Sequence, residues 1–100
     1  MSKKVVPATP TVSYSSPITK NVLINIKNQE GTYAFEIYRS TKKNKGFKWE
    51  ATITGEDELL SLLDTTSKGK TYYYKVRSVV LSGETPVYSS YSSVKKIKSK

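Results

Sequence analysis

The side chains able to do chemistry in this chain are hydroxyls, lysines, carboxylates and tyrosines, and histidine is not among them. The commonest general base and the commonest imidazole metal ligand are therefore absent. Serine and threonine are plentiful, yet a hydroxyl nucleophile needs an activating base and a partner that orients it. Lysine can serve as that base in principle, but Ser and Lys neighbour each other so often here that proximity singles out no pair. The hydroxyls read as groups that satisfy turns and strand edges, so no catalytic residue is assigned. Glu56, Asp57 and Glu58 are the only carboxylate cluster. Calcium wants several such oxygens converging at a glycine turn, whereas adjacent residues of an extended segment point to opposite faces, and the spacing does not fit an EF-hand loop. The cluster reads as a solvated acidic loop. Cysteine is absent too, which removes disulfides and thiolate metal sites. No metal or cofactor is implied, and the chain reads as a non-enzyme.

What remains is charge and aromatic surface. Seventeen basic residues face eight acidic ones, a formal net charge of +9, which draws anionic partners by long-range attraction. Nearly all of the basic residues are lysines, which lack the bidentate fork used to read bases, so specific nucleic-acid recognition is disfavoured. Lys42, Lys43, Lys45 and Lys48 form one basic cluster and the lysines from 95 to 100 another. Such runs read first as solvated surface, and second as tethers for an anionic polymer. The sharpest candidate is "KTYYYKVRS" (Lys70 to Ser78). In an extended segment Tyr72, Tyr74 and Val76 share one face while Tyr73, Lys75 and Arg77 share the other.

Strands must position those side chains. "TVSYSS" (Thr11 to Ser16) alternates Val12 and Tyr14 with small polar residues, and "NVLINIKN" (Asn21 to Asn28) sets Val22, Ile24 and Ile26 on one face. "TYAFEIYRS" alternates Tyr33, Phe35 and Ile37 against Ala34, Glu36 and Tyr38, and "FKWEATITG" alternates Phe47, Trp49, Ala51 and Ile53 against polar residues. "EDELLSLLD" carries leucines that fit helical spacing as well, but an isolated nine-residue helix is marginal, so it is read as a strand. "PVYSSYSSVKKIKS" forms one last strand. About seven strands at intervals of roughly 8 to 12 residues predict an all-β, immunoglobulin-like two-sheet antiparallel sandwich. Its expected core is Val22, Ile24, Ile26, Phe35, Ile37, Ile53, Leu62, Tyr72, Tyr74, Val76 and Val94. One hundred residues suffice for a single domain. No apolar run approaches the ~20 residues of a membrane span, and "MSKKVVPATP" lacks a secretory apolar stretch.

Three segments carry a resemblance: "YAFEIYRSTKKNKGF", "DTTSKGKTYYYKVRSV" and "YSSYSSVKK". Together they resemble fibronectin type III domains, especially those of bacterial surface proteins, across Ala8 to Ile97. The resemblance implies a linker over residues 1–8, the domain over 9–97 and a basic tail over 98–100. It places Tyr72 at the family's tyrosine corner, where a ring is buried and its hydroxyl meets an upstream backbone group. Ile26 stands where the family usually has a core tryptophan, with Trp49 on the fourth strand as the compensating indole. The corner from Asp64 to Gly69 is one residue shorter than usual, and Thr66 or Ser67 replaces its leucine. The adhesive Arg-Gly-Asp is replaced by Ser82, Gly83 and Glu84. Strand topology of the family groups the outward Tyr38, Tyr73, Lys75, Arg77 and Tyr91 as a ligand-binding face; the same residues also read as side chains that cover a sheet and support one another.

The implied function is a non-catalytic extracellular or cell-surface module, monomeric, that spaces or presents neighbouring domains of a larger bacterial protein. A carbohydrate or anionic wall-polymer binder, or an accessory domain of a glycoside hydrolase or phage virion protein, is the alternative. Partners are then neighbouring domains, a surface protein or an anionic glycan.

Overall fold

A computed structural model describes residues 6–100, and the part of the expected linker covering residues 1–5, with Lys3 and Lys4, lies outside them. The described strands are β1 (Val12–Ser15), β2 (Asn21–Lys27), β3 (Ala34–Ser40), β4 (Lys48–Ile53), β5 (Leu59–Thr65), β6 (Thr71–Ser82), β7 (Thr85–Tyr88) and β8 (Lys95–Lys98). One sheet has the order β1-β2-β5. The other runs β4-β3-β6, and the far edge of β6 takes β7 along one half and β8 along the other. Every pairing is antiparallel.

The alternation read from sequence holds along β2 and through most of β3 and β6, but Tyr33, expected inward, is exposed just before β3, and Ala34 and Val79, paired with each other in the outward phase, are buried. Val22, Ile24 and Ile26 of β2 are buried against Phe35 and Ile37 of β3, Leu60 of β5, and Tyr72, Tyr74 and Val76 of β6. Each large apolar side chain removed from water contributes about 1.5–3 kcal/mol. β5 is a strand, and Tyr14 of β1 stacks on Tyr74 with ring centroids 5.4 Å apart. Ile53 and Leu62 sit at the rim of this core, and Ile97 packs there as well.

Two expectations fail because a strand changes phase. Trp49 is 58% exposed and does not replace the family's core indole. Ile37 lies opposite Ala51, but Tyr38 lies opposite Trp49, so Glu50 is an extra residue in β4. Such a bulge swings every preceding residue to the other face; Trp49 turns outward, its Nε1–H donating to Thr52 Oγ1 at 2.8 Å, and Glu50 turns toward Arg39. The last expected strand is likewise two strands, β7 and β8, separated by 89–94. Two serines bridge the gap with both backbone and hydroxyl: Ser78 N–H donates to Ser89 Oγ (2.8 Å) while Ser89 N–H donates to the Ser78 carbonyl (3.0 Å), and Val76 N–H donates to Ser92 Oγ (3.0 Å) while Ser92 N–H donates to the Val76 carbonyl (2.7 Å). When pairing resumes, Ile97 lies opposite Tyr72 and takes the inward place, leaving Val94, expected in the core, 39% exposed.

The chain end also differs from the basic tail expected over 98–100. Lys98 belongs to β8, Ser99 is buried with its Oγ 2.6 Å from Thr66 Oγ1, and Lys100 N–H donates to Ser16 Oγ. The corner itself turns at Gly69, whose φ of 75° suits glycine, and Ser67 N–H donates to the Tyr72 hydroxyl at 2.8 Å. Burial pushes the Tyr72 phenol upward, but the Ser67 N–H, Arg39 and Lys70 outweigh it and the net displacement is down.

The two sheets are also joined by charge. Asp64, on the inward row of β5 after Leu60 and Leu62, is buried. Its Oδ2 accepts from Arg39 NH1 of β3 at 2.9 Å and from the Tyr74 hydroxyl of β6 at 2.6 Å. Arg39 also reaches the Thr65 carbonyl (3.1 Å) and Glu50 (3.3 Å), and lies 4.9 Å from the Tyr72 ring centre. Burial opposes the Arg39 charge, but Asp64 and then Glu50 more than compensate. Burial drives the Tyr74 phenol strongly upward, reinforced by the bond to Asp64, so it stays a donor.

Two predictions follow from this inner layer. Tyr74→Phe removes a bond to a charged acceptor and should cost about 1.5–3 kcal/mol, whereas Tyr72→Phe removes a neutral one and should cost about 1 kcal/mol; urea unfolding midpoints should rank Tyr74→Phe below Tyr72→Phe, and both below wild type. Glu50 is pushed up from 4.5 to about 7, by burial first and Asp64 second, with Arg39 pulling back only in part. The folded chain thus holds a proton that the unfolded chain releases, so this stabilisation is complete below the unfolded value and is lost as pH rises through about 7. The melting temperature should therefore fall between about pH 5 and about pH 8, and Glu50→Gln should flatten that slope.

Candidate functional site

The outer face of the five-stranded sheet is built by the parity of β6. Because Tyr72, Tyr74 and Val76 point inward, Tyr73, Lys75 and Arg77 must point outward. Register places Tyr38 opposite Lys75 and Glu36 opposite Arg77. Arg77 is held on all sides: Nε donates to Glu36 Oε1 at 2.7 Å, NH2 donates to the Tyr38 hydroxyl at 3.2 Å, and the guanidinium carbon lies 3.8, 5.1 and 5.4 Å from the rings of Tyr88, Tyr91 and Tyr38. Tyr91 meets Tyr38 edge-on, with centroids 5.4 Å apart and planes at 89°. Lys75 Nζ lies 4.0 Å from the Tyr91 ring centre and 4.6 Å from that of Phe47.

Four of the five residues named from sequence, Tyr38, Lys75, Arg77 and Tyr91, are thus one cluster. Tyr73 shares the face, opposite Ser40 and Lys96, but joins none of its ring or cation contacts among the described residues. Glu36, Phe47 and Tyr88 complete the cluster and were not singled out from sequence. Glu36 could have been, since two residues before Tyr38 in an alternating strand is the same face. Tyr88, the last residue of β7, lies opposite Val79, the outward-phase residue of β6 next after Arg77, whereas Tyr91 reaches Arg77 from the gap between β7 and β8, which no periodicity shows.

The electrostatics divide the two cations. Burial lowers the Arg77 affinity for its proton, but Glu36 first and then the tyrosines reverse this, so its charge is fixed and internally matched. Lys75 has only rings around it, with no carboxylate within salt-bridge distance among the described residues. Lys96 and Lys98 lie opposite Tyr73 and Thr71 on the same face. The arrangement can present uncompensated positive charge beside flat aromatic surface, which suits an anionic group attached to an apolar or sugar-like body.

A second feature is a cleft of about 530 Å³ at the β3–β4 end, lined by Arg39, Lys48, Trp49, Glu50, Lys70 and Tyr72 among others. Its wall includes Arg39, whose guanidinium is paired with the buried Asp64. Sequence reading passed over that pair, though the signal was present: Arg39 follows Phe35 and Ile37, and Asp64 follows Leu60 and Leu62, in the inward phase. The acidic residues Glu56, Asp57 and Glu58 are exposed in the connection before β5. No helix among the described residues is long and apolar enough to cross a membrane.

No family model matches the sequence, and no curated protein matches it. Among solved structures the chain is similar to the solution structure of the fibronectin type-III domain of human fibronectin type III domain containing protein 3. The TM-score is 0.58 at 17% sequence identity, over 98% of this chain and 90% of that one. At that identity the likeness is one of architecture, and it agrees with the two antiparallel sheets derived above: the chain has the fibronectin type III fold.

Proposed function

We propose that the chain is a non-catalytic interaction module of a larger extracellular or cell-surface protein, and that the outer face of its five-stranded sheet is the contact surface. The observation that carries this reading is the cluster around Lys75 and Arg77. Its rings are pre-positioned by Glu36 and by one another, so little side-chain freedom remains to be lost on binding. Its charge is unbalanced, because Glu36 is matched by Arg77 while Lys75, Lys96 and Lys98 are left over. An anionic glycan, wall polymer or acidic surface protein fits that pattern, and the excess of +9 over the whole chain steers such a partner in.

Titration with polyglycerol phosphate as an anionic polymer, beside a neutral glucan, tests this directly. Lys75→Ala and Tyr91→Ala should each weaken binding of the anionic polymer about tenfold, equivalent to about 1.4 kcal/mol, with the β-sheet circular dichroism spectrum retained and the melting temperature of Tyr91→Ala lowered by its lost ring contacts, and added salt should weaken the wild-type complex. Tyr73→Ala should weaken it less. Affinity unchanged in Lys75→Ala and Tyr91→Ala would remove the face from consideration, and equal affinity for the neutral glucan would replace charge with ring stacking as the basis of recognition.

A further inference from the structure

Sheet edges are places where another chain can add a strand, and folded proteins usually obstruct them with lysines, bulges, prolines or brevity. Three of the four edges among the described residues are obstructed here. β1 has four residues, β4 carries the Glu50 bulge and Lys48, and the β7–β8 edge is split and bears Lys95, Lys96 and Lys98. β5 is different. It pairs with β2 over seven residues without a break, contains neither lysine nor proline, and leaves Leu59 57% and Leu63 48% exposed.

The hydrogen-bonding phase of β5 follows from its ends. Asn28 N–H donates to the Glu58 carbonyl and Thr66 N–H to the Lys20 carbonyl. In an antiparallel ladder bonded residues alternate, so Leu60, Leu62 and Asp64 bond to β2, while Leu59, Ser61 and Leu63 direct their N–H and C=O groups to the open edge. Arg39 occupies the Thr65 carbonyl and ends the free stretch there. The free stretch reads Leu-Leu-Ser-Leu-Leu, the same in both directions.

We infer that β5 is a self-pairing edge, through which two copies of this chain join antiparallel about a two-fold axis at Ser61. Ser61 then exchanges both backbone hydrogen bonds with Ser61 of the second copy, and Leu59 does so with Leu63 of the second copy. Both pairs belong to the phase whose groups are free. The outer leucines meet leucines and extend the Leu23–Leu63 row across the junction, while Leu60 faces Leu62 of the second copy on the inner side. The charges also complement one another. Glu56, Asp57 and Glu58 precede β5, and Lys68 and Lys70 follow it, so the acidic end of each copy lies against the basic corner of the other. Glu58 comes opposite Asp64 of the second copy, whose charge is already matched by Arg39. The product is a continuous six-stranded sheet. The overall charge of +9 opposes association at low salt, and at about 0.15 M, with a Debye length of about 8 Å, the local contacts prevail. This differs from the monomer anticipated from sequence, and it is independent of the tyrosine face.

Sedimentation velocity of the full chain across micromolar to millimolar concentrations tests the pairing, at near-physiological salt. A concentration-dependent dimer is expected. Ser61→Pro deletes an N–H that β2 does not use, and Leu63→Lys puts a charge on the exposed row; each should weaken the dimer about tenfold or more, whereas Lys75→Ala should not. Because the chain has no cysteine, Ser61→Cys offers a separate reading: facing residues of a bonded antiparallel pair lie about 5.5 Å apart at Cα, within disulfide range, so mild oxidation should cross-link Ser61→Cys far faster than Ser13→Cys on β1. A chain monomeric throughout, a dimer indifferent to Ser61→Pro and Leu63→Lys, or equal cross-linking at positions 61 and 13 would overturn the inference.

Discussion

A carboxylate inside a β-sandwich has to be matched, and the structure is arranged around how Asp64 is matched. An isolated buried carboxylate costs far more than a small domain can sustain, so Arg39 and Tyr74 must both reach it from the opposite sheet. That requirement fixes Tyr74 in the inward phase of β6, with Tyr72 and Val76 following from the period of two. It therefore also fixes the outward phase. Tyr73, Lys75 and Arg77 are displayed because their neighbours are committed to the inside. The three consecutive tyrosines thus do three different things: Tyr72 meets the corner, Tyr74 serves the buried acid, and Tyr73 lies on the open face.

The same pair couples the interior to the β3–β4 edge. Arg39 is long enough to join Asp64, Glu50 and the Thr65 carbonyl, and Glu50 can join only because it is the extra residue of the bulge. One insertion in β4 thereby does two jobs. It completes the polar clamp between the sheets, and it turns Trp49 out of the core, where Val and Ile side chains fill the centre without an indole. It also roughens an edge that would otherwise lie open. β5 carries no such interruption, because its inward row already has its partners and nothing requires an extra residue there.

The outer cluster shows how a charged face can be rigid without being neutral. Arg77 makes a short ion pair and three ring contacts, and each cation–π contact of this kind contributes about 0.5–2 kcal/mol depending on its exposure to water. Those contacts order Tyr38, Tyr88 and Tyr91. Lys75 shares only Tyr91 with Arg77, takes Phe47 as its second ring, and meets no counter-charge among the described residues. The stabilising role and the recognition role are thus separable by residue: Arg77 and Glu36 hold the surface, and Lys75 with the β8 lysines gives it a sign.

Wherever pattern and backbone stayed in step, the sequence alone was sufficient. Val22, Ile24 and Ile26, Phe35 and Ile37, and Tyr72, Tyr74 and Val76 are inward because side chains alternate in any extended chain, and their neighbours Tyr38, Lys75 and Arg77 are outward for the same local reason. Composition likewise settled that no histidine or cysteine chemistry is available. Tertiary structure alone decided where the alternation breaks. Trp49 and Val94 were misplaced by their own periodicity because a bulge or a gap is dictated by what the neighbouring strand and the buried charges require. Arg39 and Asp64 were visible as charges in inward phase, but their partnership joins residues 25 positions apart on different sheets, and only the packing of one sheet on the other brings such groups into contact.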